Sequence, residues 1–306
     1  MTKLWGENAR LGDPERGEQC LRLSKAIIPM GRPLHGDLPL QHVTTGDGGT
    51  SRVASLQIEE LLQAGIDQVA LIISPQNRHV FDELSAQFGS ALVAVEQAEP
   101  RGFGDAILRA EAWIAGEPFI VQVCDHVFIT HAADSCTHQL VEVAAREECA
   151  VSAVQVNAES QLPYFGVIGA SRVKAAMRLY SIETVLEKPT PTVAEERCII
   201  PGLRQGTYLA LFGTHALTPQ VFGILHEQER RLAPGKKLGL TEALAVLAAR
   251  EKYLALEVDG QRIDLESPFG LLRAQLALAL YGQRREEVLR LLLEEVARTP
   301  EKRGGH

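Results

Sequence analysis

Three features of the sequence predict an α/β fold, with a mostly parallel, Rossmann-like sheet flanked by helices and followed by a C-terminal helical segment. Short strands of unbroken apolar residues, such as Ala26-Ile27-Ile28, Val69 to Ile73 and Phe119 to Val123, lack polar alternation, so both of their faces must be covered. Amphipathic helical stretches separate these strands. The chain has 306 residues, 45% of them apolar, which is enough for one large core or two modest ones.

Taken in order, Ala26 to Ile28 is the first strand and Leu56 to Ala64 the first helix. Val69 to Ile73, Ala91 to Val95 and Phe119 to Val123 follow as strands, separated by helical stretches at Asn77 to Gln87 and Ala106 to Ile114. Leu140 to Glu148 reads as helix and Ala150 to Val156 as strand. Beyond about residue 160 the strands shorten, at Gly166 to Ile168, Thr184 to Glu187, Tyr208 to Phe212 and Leu254 to Val258, with a helix over Leu240 to Ala249. This second lobe is expected to continue the same sheet. Near the end, Leu289, Leu292, Leu293 and Val296 fall at i, i+3, i+4 and i+7, forming one apolar stripe. The simpler expectation is a helix packed back on its own domain, and the other is a dimer seam. The organisation expected is an extension over 1–22, an α/β domain over 23–268, C-terminal helices over 269–300 and a disordered tail over 301–306.

The charge balance narrows the function. With 31 Lys+Arg against 39 Asp+Glu the net charge is −8, which argues against nucleic-acid binding because that needs a basic face. A phosphate ligand must then be met by a few local cations, a metal ion or helix N-termini. Met1 to Gln19 is polar, without the apolar core of a signal peptide, and no run approaches the roughly 18 apolar residues of a membrane helix. The five cysteines, Cys20, Cys124, Cys136, Cys149 and Cys198, include no C-x-x-C pair, so reduced thiols and a cytoplasmic location are expected. Cys124, His126, His131, Cys136 and His138 are metal-ligating types, but their spacing matches no zinc pattern. A buried strand end followed by a helix accounts for them.

Three positions carry candidate chemistry. Asp125 follows the strand Phe119 to Val123, at the end where open sheets bind ligands. Glu187-Lys188-Pro189 closes another strand, and Asp264 follows the turn at Asp259-Gly260. Two carboxylates brought together at strand ends suit Mg²⁺, which takes oxygen ligands and bridges to phosphates, and a nearby lysine supplies a point charge. Each residue alone also fits a turn or a cap. Pro100-Arg101-Gly102-Phe103-Gly104-Asp105 lies between a strand and a helix. Its glycines admit a ligand close to the backbone or simply make a loop.

Read together, these pieces resemble the sugar nucleotidyltransferases, and most closely the bacterial UTP–glucose-1-phosphate uridylyltransferases. The carriers are Lys25-Ala-Ile-Ile-Pro29, Gly65-Ile66, Glu96-Gln97 followed by Gly102-Phe103-Gly104, and Cys124-Asp125-His126. Tyr164 to Val167, Glu187-Lys188-Pro189, Leu240 to Ala243, and Asp264 followed by Phe269-Gly270 complete the series. The resemblance implies that Gln97, Gly102 and Gly104 form the nucleotide end, with Gln97 and the Gly102 backbone reading the uracil. It implies that Asp125 and Asp264 hold Mg²⁺, that Gly166 and Glu187 contact the sugar, and that Lys188 meets its phosphate. The reaction implied is in-line attack of the glucose 1-phosphate oxygen on the α-phosphorus of UTP, with Lys188 and Asp125 as the catalytic pair in an active protein.

The sequence departs from the family where the triphosphate should sit. The family's loop G-x-G-T-R, and the lysine that follows it, are reduced here to Met30-Gly31-Arg32-Pro33-Leu34-His35-Gly36-Asp37 before Leu38-Pro39-Leu40. Asp37 stands near the expected cation. Gly46 to Arg52 is glycine-rich but lies after this point, and is expected to be a surface hairpin rather than a displaced phosphate loop. Asp105 replaces a frequent histidine. Losing one preorganised donor to developing charge costs about 10²–10³ in rate. The favoured reading is therefore a protein that binds UDP-glucose or a related sugar nucleotide, with catalysis weak or lost. It would be a sensor, or a regulator of an active paralogue through a homo- or hetero-oligomer. The alternative is an active uridylyltransferase with altered phosphate handling, and the blandest is a scaffold without ligand.

Overall fold

The computed structural model describes residues 21–31, 35–174 and 176–298, with 35–37 described by their backbone. The expectations for the 1–22 extension (all but its last two residues), Cys20, Arg32, the Asp37 side chain and the 301–306 tail fall outside the described residues.

The chain opens with β1 (Lys25–Pro29), the hairpin strands β2 (His42–Thr44) and β3 (Thr50–Arg52), and α1 (Val53–Gln63). It continues through β4 (Gln68–Ile73), α2 (Arg78–Phe88), β5 (Leu92–Glu96), α3 (Phe103–Arg109), α4 (Glu111–Ile114), β6 (Phe119–Gln122) and β7 (His126–Thr130). Next come α5 (Cys136–Glu147), β8 (Ala150–Ala158), β9 (Val167–Arg172), β10 (Leu179–Leu186), α6 (Pro191–Arg197) and β11 (Thr207–Leu217). The remaining elements are α7 (Gln220–Arg231), α8 (Thr241–Arg250), β12 (Tyr253–Glu257), β13 (Gly260–Asp264), α9 (Gly270–Leu280) and α10 (Arg285–Arg298).

Nine strands form one sheet in the order β5-β4-β1-β6-β11-β8-β12-β10-β9. The first four are parallel to one another. The long strand β11 then enters antiparallel to both β6 and β8 and carries the second lobe into the same sheet. The sheet is thus parallel on the nucleotide side of the resemblance and mixed beyond it. Its two faces carry separate apolar layers. Ile27, Ile72, Phe119 and Val121 pack with residues of α3, α7 and α8, while Ala26, Ile28, Leu71 and Ile120 pack with α1, α2 and α5. This two-sided burial is why those strands read as unbroken apolar runs. Phe119 of β6 stacks on Phe222 of α7 with ring centroids 5.1 Å apart.

Several helix ends follow from local chemistry. Ser135 caps α5 by accepting from the His138 N–H, and Thr190 caps α6 by accepting from the Val193 N–H, with Pro191 in the first turn. Lys25 donates from Nζ to the carbonyls of Trp113 and Ile114 and pairs with Glu117 at 2.7 Å, so it closes the end of α4.

The segment Gly46 to Arg52 is a hairpin, as expected. Asp47 accepts from Thr45 Oγ1 and from the Gly49 N–H, turning β2 into β3. The helix expected over Ala106 to Ile114 is broken at Ala110 into α3 and α4. The C-terminal stripe lies on α10. α10 packs against α9, none of its residues is buried, and Leu293 and Val296 are exposed.

Candidate functional site

The two candidate metal carboxylates meet through a two-stranded ladder outside the main sheet. β7 pairs antiparallel with β13, with Asp264 opposite His126, and the Leu265 N–H donates to the Asp125 carbonyl at 2.9 Å. Asp125 and Asp264, 139 residues apart by number (264 − 125), thereby share one strand end. Asp125 Oδ1 lies 2.6 Å from His126 Nδ1, and Asp264 Oδ1 accepts from the Glu266 N–H at 2.9 Å.

Arg262 is a member of this cluster that the sequence reasoning missed. It lies two residues before Asp264 on β13 and so projects to the same face. It is 5% exposed, its guanidinium lies 3.5 Å from the centre of the Phe165 ring, and its Nε and Nη2 have no acceptor among the described residues. Burial pushes its pKa down to about 9, with the charges of Asp264 and Asp125 opposing the fall.

A second cluster forms at the end of β5. Gln97 is buried, and its Nε2 donates to Asp105 Oδ2 at 2.6 Å and to the Gly102 carbonyl at 3.2 Å. Both partners are acceptors, which fixes the amide orientation. Gln97 Oε1 then faces the end of β1, where a Cβ on Gly31 would stand 2.5 Å from it. Asp105 also pairs with Arg109 at 2.5 Å, and Arg101 approaches it at 3.9 Å.

Gly102 has φ +122°, and a Cβ there would lie 2.2 Å from the Leu238 carbonyl oxygen. The Leu238 N–H donates to the Arg101 carbonyl, and the Gly104 N–H to the Leu238 carbonyl. The close approach that these glycines permit is to the segment around Leu238.

That segment leads directly to the third cluster. Thr241 Oγ1, at the start of α8, donates to Glu187 Oε2 at 2.7 Å. Glu187 follows the last residue of β10, and a Cβ on Gly166 would lie 3.3 Å from Glu187 Oε2. Lys188 is half-exposed, has φ +44°, and places Nζ 3.8 Å from Glu187 Oε1. A left-handed non-glycine residue costs of order 1–3 kcal/mol and is found preferentially at functional sites. Residues 238–241 therefore tie Gln97, Gly102 and Gly104 to Gly166, Glu187 and Lys188. Phe165, adjacent to Gly166, ties both groups to the carboxylate pair.

A match to the nucleotidyl transferase family model covers residues 32–274, most of the chain and all three clusters. The chain belongs to the nucleotidyl transferase family. Within this family, it is 29% identical over 269 residues to UTP–glucose-1-phosphate uridylyltransferase 1 of Streptococcus pyogenes serotype M1, covering 80% of this chain and 84% of that protein. The fold is that of UDP-glucose pyrophosphorylase complexed with UDP-glucose, with a TM-score of 0.69 at 23% identity over 84% of this chain and 98% of that one. UDP-glucose pyrophosphorylase from Acinetobacter baumannii superposes with a TM-score of 0.71 at 19% identity, covering 90% of this chain and 100% of that one.

The donor chemistry can be tested against the magnesium that the family implies. Among the described residues no group of three or more His, Cys, Asp or Glu side chains is placed to hold a metal. The Cys124–His138 stretch holds a further strand, β7, between the end of β6 and α5, which the expectation of a strand end followed by a helix lacks, and Cys124 and Cys136 are buried in it. Two carboxylates alone fit Mg²⁺ of the kind that keeps its waters and takes its other oxygens from substrate phosphates. They do not make an all-protein cage. No helix among the described residues is long and apolar enough to cross a membrane.

Proposed function

We propose that this nucleotidyl transferase binds a sugar nucleotide of the UDP-glucose class and synthesises it weakly or not at all. The observation that carries the reading is the stitching of Gln97, Gly102, Glu187 and Lys188 by residues 238–241 beside the Asp125–Asp264 pair. The names of the relatives support the same ligand class.

Each residue has a role that follows from its contacts. Gln97 has spent its donors on Asp105 and Gly102, so it offers a base only the acceptor Oε1. An imide N–H, as in uracil, satisfies that acceptor, whereas the ring acceptor at the same place in cytosine repels it. Glu187 has Oε2 held by Thr241, while Oε1, 3.8 Å from Lys188 Nζ on the exposed side, is the oxygen offered to a sugar hydroxyl. Lys188 presents a mobile point charge to the sugar-linked phosphate. Asp125 and Asp264 would hold Mg²⁺ together with the diphosphate, and the ion would supply charge neutralisation there.

The reading of weak turnover rests on the sequence at the pyrophosphate end. The segment from Gly31 to Leu40 is too short for the family's loop, and its backbone is already helical from His35. Phosphoryl transfer depends on positioning and on stabilising charge, so loss of these donors falls mainly on turnover. A magnesium-dependent assay of UDP-glucose formation from UTP and glucose 1-phosphate tests this. The expected rate is no more than about 10⁻² of the ~10 s⁻¹ typical of enzymes. A rate near that typical value, abolished by Asp125→Ala, would establish the active alternative instead.

A further inference from the structure

We propose that Gln57, on α1, is a positioning residue for Asp125. Its side-chain amide clamps the turn that carries this carboxylate, and so sets how tightly the Asp125–Asp264 pair takes a divalent cation. This role rests on the assignment of that pair to a metal ion, and adds to it a residue from a different element. Gln57 is 2% exposed, and its Nε2 donates to the Val123 carbonyl at 3.0 Å and to the His126 carbonyl at 2.6 Å.

Only Val123, Cys124 and Asp125 separate the end of β6 from the start of β7. Over these three residues the chain leaves the main sheet for the β7–β13 ladder, so its backbone groups need partners from outside regular pairing. The Val123 N–H donates to the Gly213 carbonyl on the sheet side, and the Asp125 carbonyl accepts from the Leu265 N–H on the ladder side. The Val123 and His126 carbonyls, which flank Asp125, are both met by the one side chain of Gln57. Both bonds leave a single nitrogen, which requires the two N–H groups of a primary amide. Among neutral side chains of this length only glutamine carries them.

The surroundings of Gln57 argue against a simple packing role. Val53, Ala54, Ile58 and Leu61 are the apolar residues buried with it on α1, and its own Oε1 is buried with no partner among the described residues. An apolar side chain of the same length would remove that unmet acceptor, so the position is polar at a cost that the two donated bonds must offset. The link to the carboxylate continues through His126. Gln57 fixes the His126 backbone, and the His126 ring places Nδ1 2.6 Å from Asp125 Oδ1. α1 has eleven residues, and Ala54, Ile58 and Leu61 anchor it in the core, so it is a rigid support for a turn between two sheets. Support of this kind behind a metal ligand typically changes metal affinity by about 10- to 100-fold.

Binding of Mn²⁺ to the full chain in the presence of UDP-glucose tests the clamp without any turnover. It is followed by loss of the free-ion electron paramagnetic resonance signal, over a blank of UDP-glucose alone. Gln57→Met keeps the length of the side chain and removes both donors, and should weaken Mn²⁺ by about tenfold or more. Asp125→Ala should weaken it at least as much. Leu84→Ala, in α2, opens a cavity in the core without removing a hydrogen bond from the turn. It should lower the melting temperature at least as far as Gln57→Met does, yet leave Mn²⁺ affinity within about twofold of the wild type. Equal affinity in wild type and Gln57→Met, with Asp125→Ala weakened, overturns this inference and leaves the carboxylate pair as the metal site. No Mn²⁺ binding by the wild type, or unchanged affinity in Asp125→Ala, overturns the assignment of the pair and the inference with it. An equal loss in Leu84→Ala and Gln57→Met traces the effect to general stability and overturns the positioning role.

Discussion

Replacing Asp105 with Asn tests how the nucleotide end chooses its base. The buried carboxylate accepts from Gln97 Nε2 at 2.6 Å and from Arg109 at 2.5 Å. An asparagine of the same shape retains one acceptor oxygen, so one of these donors loses its partner or meets another donor. A hydrogen bond to a charged partner is worth about 1.5–3 kcal/mol, and an unmet buried donor costs a comparable amount. Stability should therefore fall by about 2 kcal/mol. The sharper effect is on Gln97, whose amide is no longer held with Oε1 towards Gly31 and can turn to present Nε2. The fixed acceptor should favour uracil over cytosine by about 1–3 kcal/mol, or about 5- to 150-fold in affinity. Asp105→Asn should collapse that ratio to within a few-fold. Calorimetric titration of UDP-glucose and CDP-glucose into both proteins, with thermal unfolding alongside, measures each term. An unchanged ratio in a destabilised variant would show that Asp105 only supports the helix, and would refute the orientation argument.

Two further predictions address the framework. Gly102→Ala combines a φ of +122° with a Cβ 2.2 Å from the Leu238 oxygen, so it should lower stability by about 2 kcal/mol or more and displace residues 238–241. UDP-glucose affinity should fall with it, whereas a folded variant with wild-type affinity would disconnect this loop from the site. His215 is buried against Ser152, and burial pushes its pKa from 6.5 down to about 4. The unfolded chain then takes the proton first, so the stability contribution is whole above pH 6.5 and is lost as the pH falls towards 4. At about 1.4 kcal/mol per unit, the loss is at most ~3 kcal/mol. His215→Gln should lose correspondingly less stability between pH 7 and 4 in urea unfolding, and parallel slopes for the two proteins would contradict this.

The parts of the fold legible in the sequence are those where burial alone sets the pattern. β1, β4 and β6 are covered on both faces, so their apolar runs announce them. β7 and β13 were missed because their signal is pairing rather than composition. His126 follows β6 after only Asp125 and two further residues, and Gly260 to Asp264 is polar at Gln261 and Arg262. Without that ladder, Asp125 and Asp264 are two unrelated strand ends. The break at Ala110 likewise has no glycine or proline to mark it. In the candidate site, the residue types at Gln97, Glu187 and Lys188 were visible, but their mutual support was not. Thr241 and Leu238 act through a hydroxyl and a backbone carbonyl, which no motif spacing encodes. Arg262 was overlooked because an arginine is usually a solvated side chain. Only its burial beside two carboxylates separates it from the other arginines.

The central claim is that the sugar-nucleotide end of this nucleotidyl transferase is intact. Calorimetric titration of UDP-glucose with Mg²⁺ into the wild-type chain and Lys188→Ala measures it most directly. Saturable binding at sub-millimolar concentration, weakened about tenfold or more by the lysine substitution, is the predicted result. No detectable heat at millimolar UDP-glucose, or equal affinity in the two proteins, would contradict it.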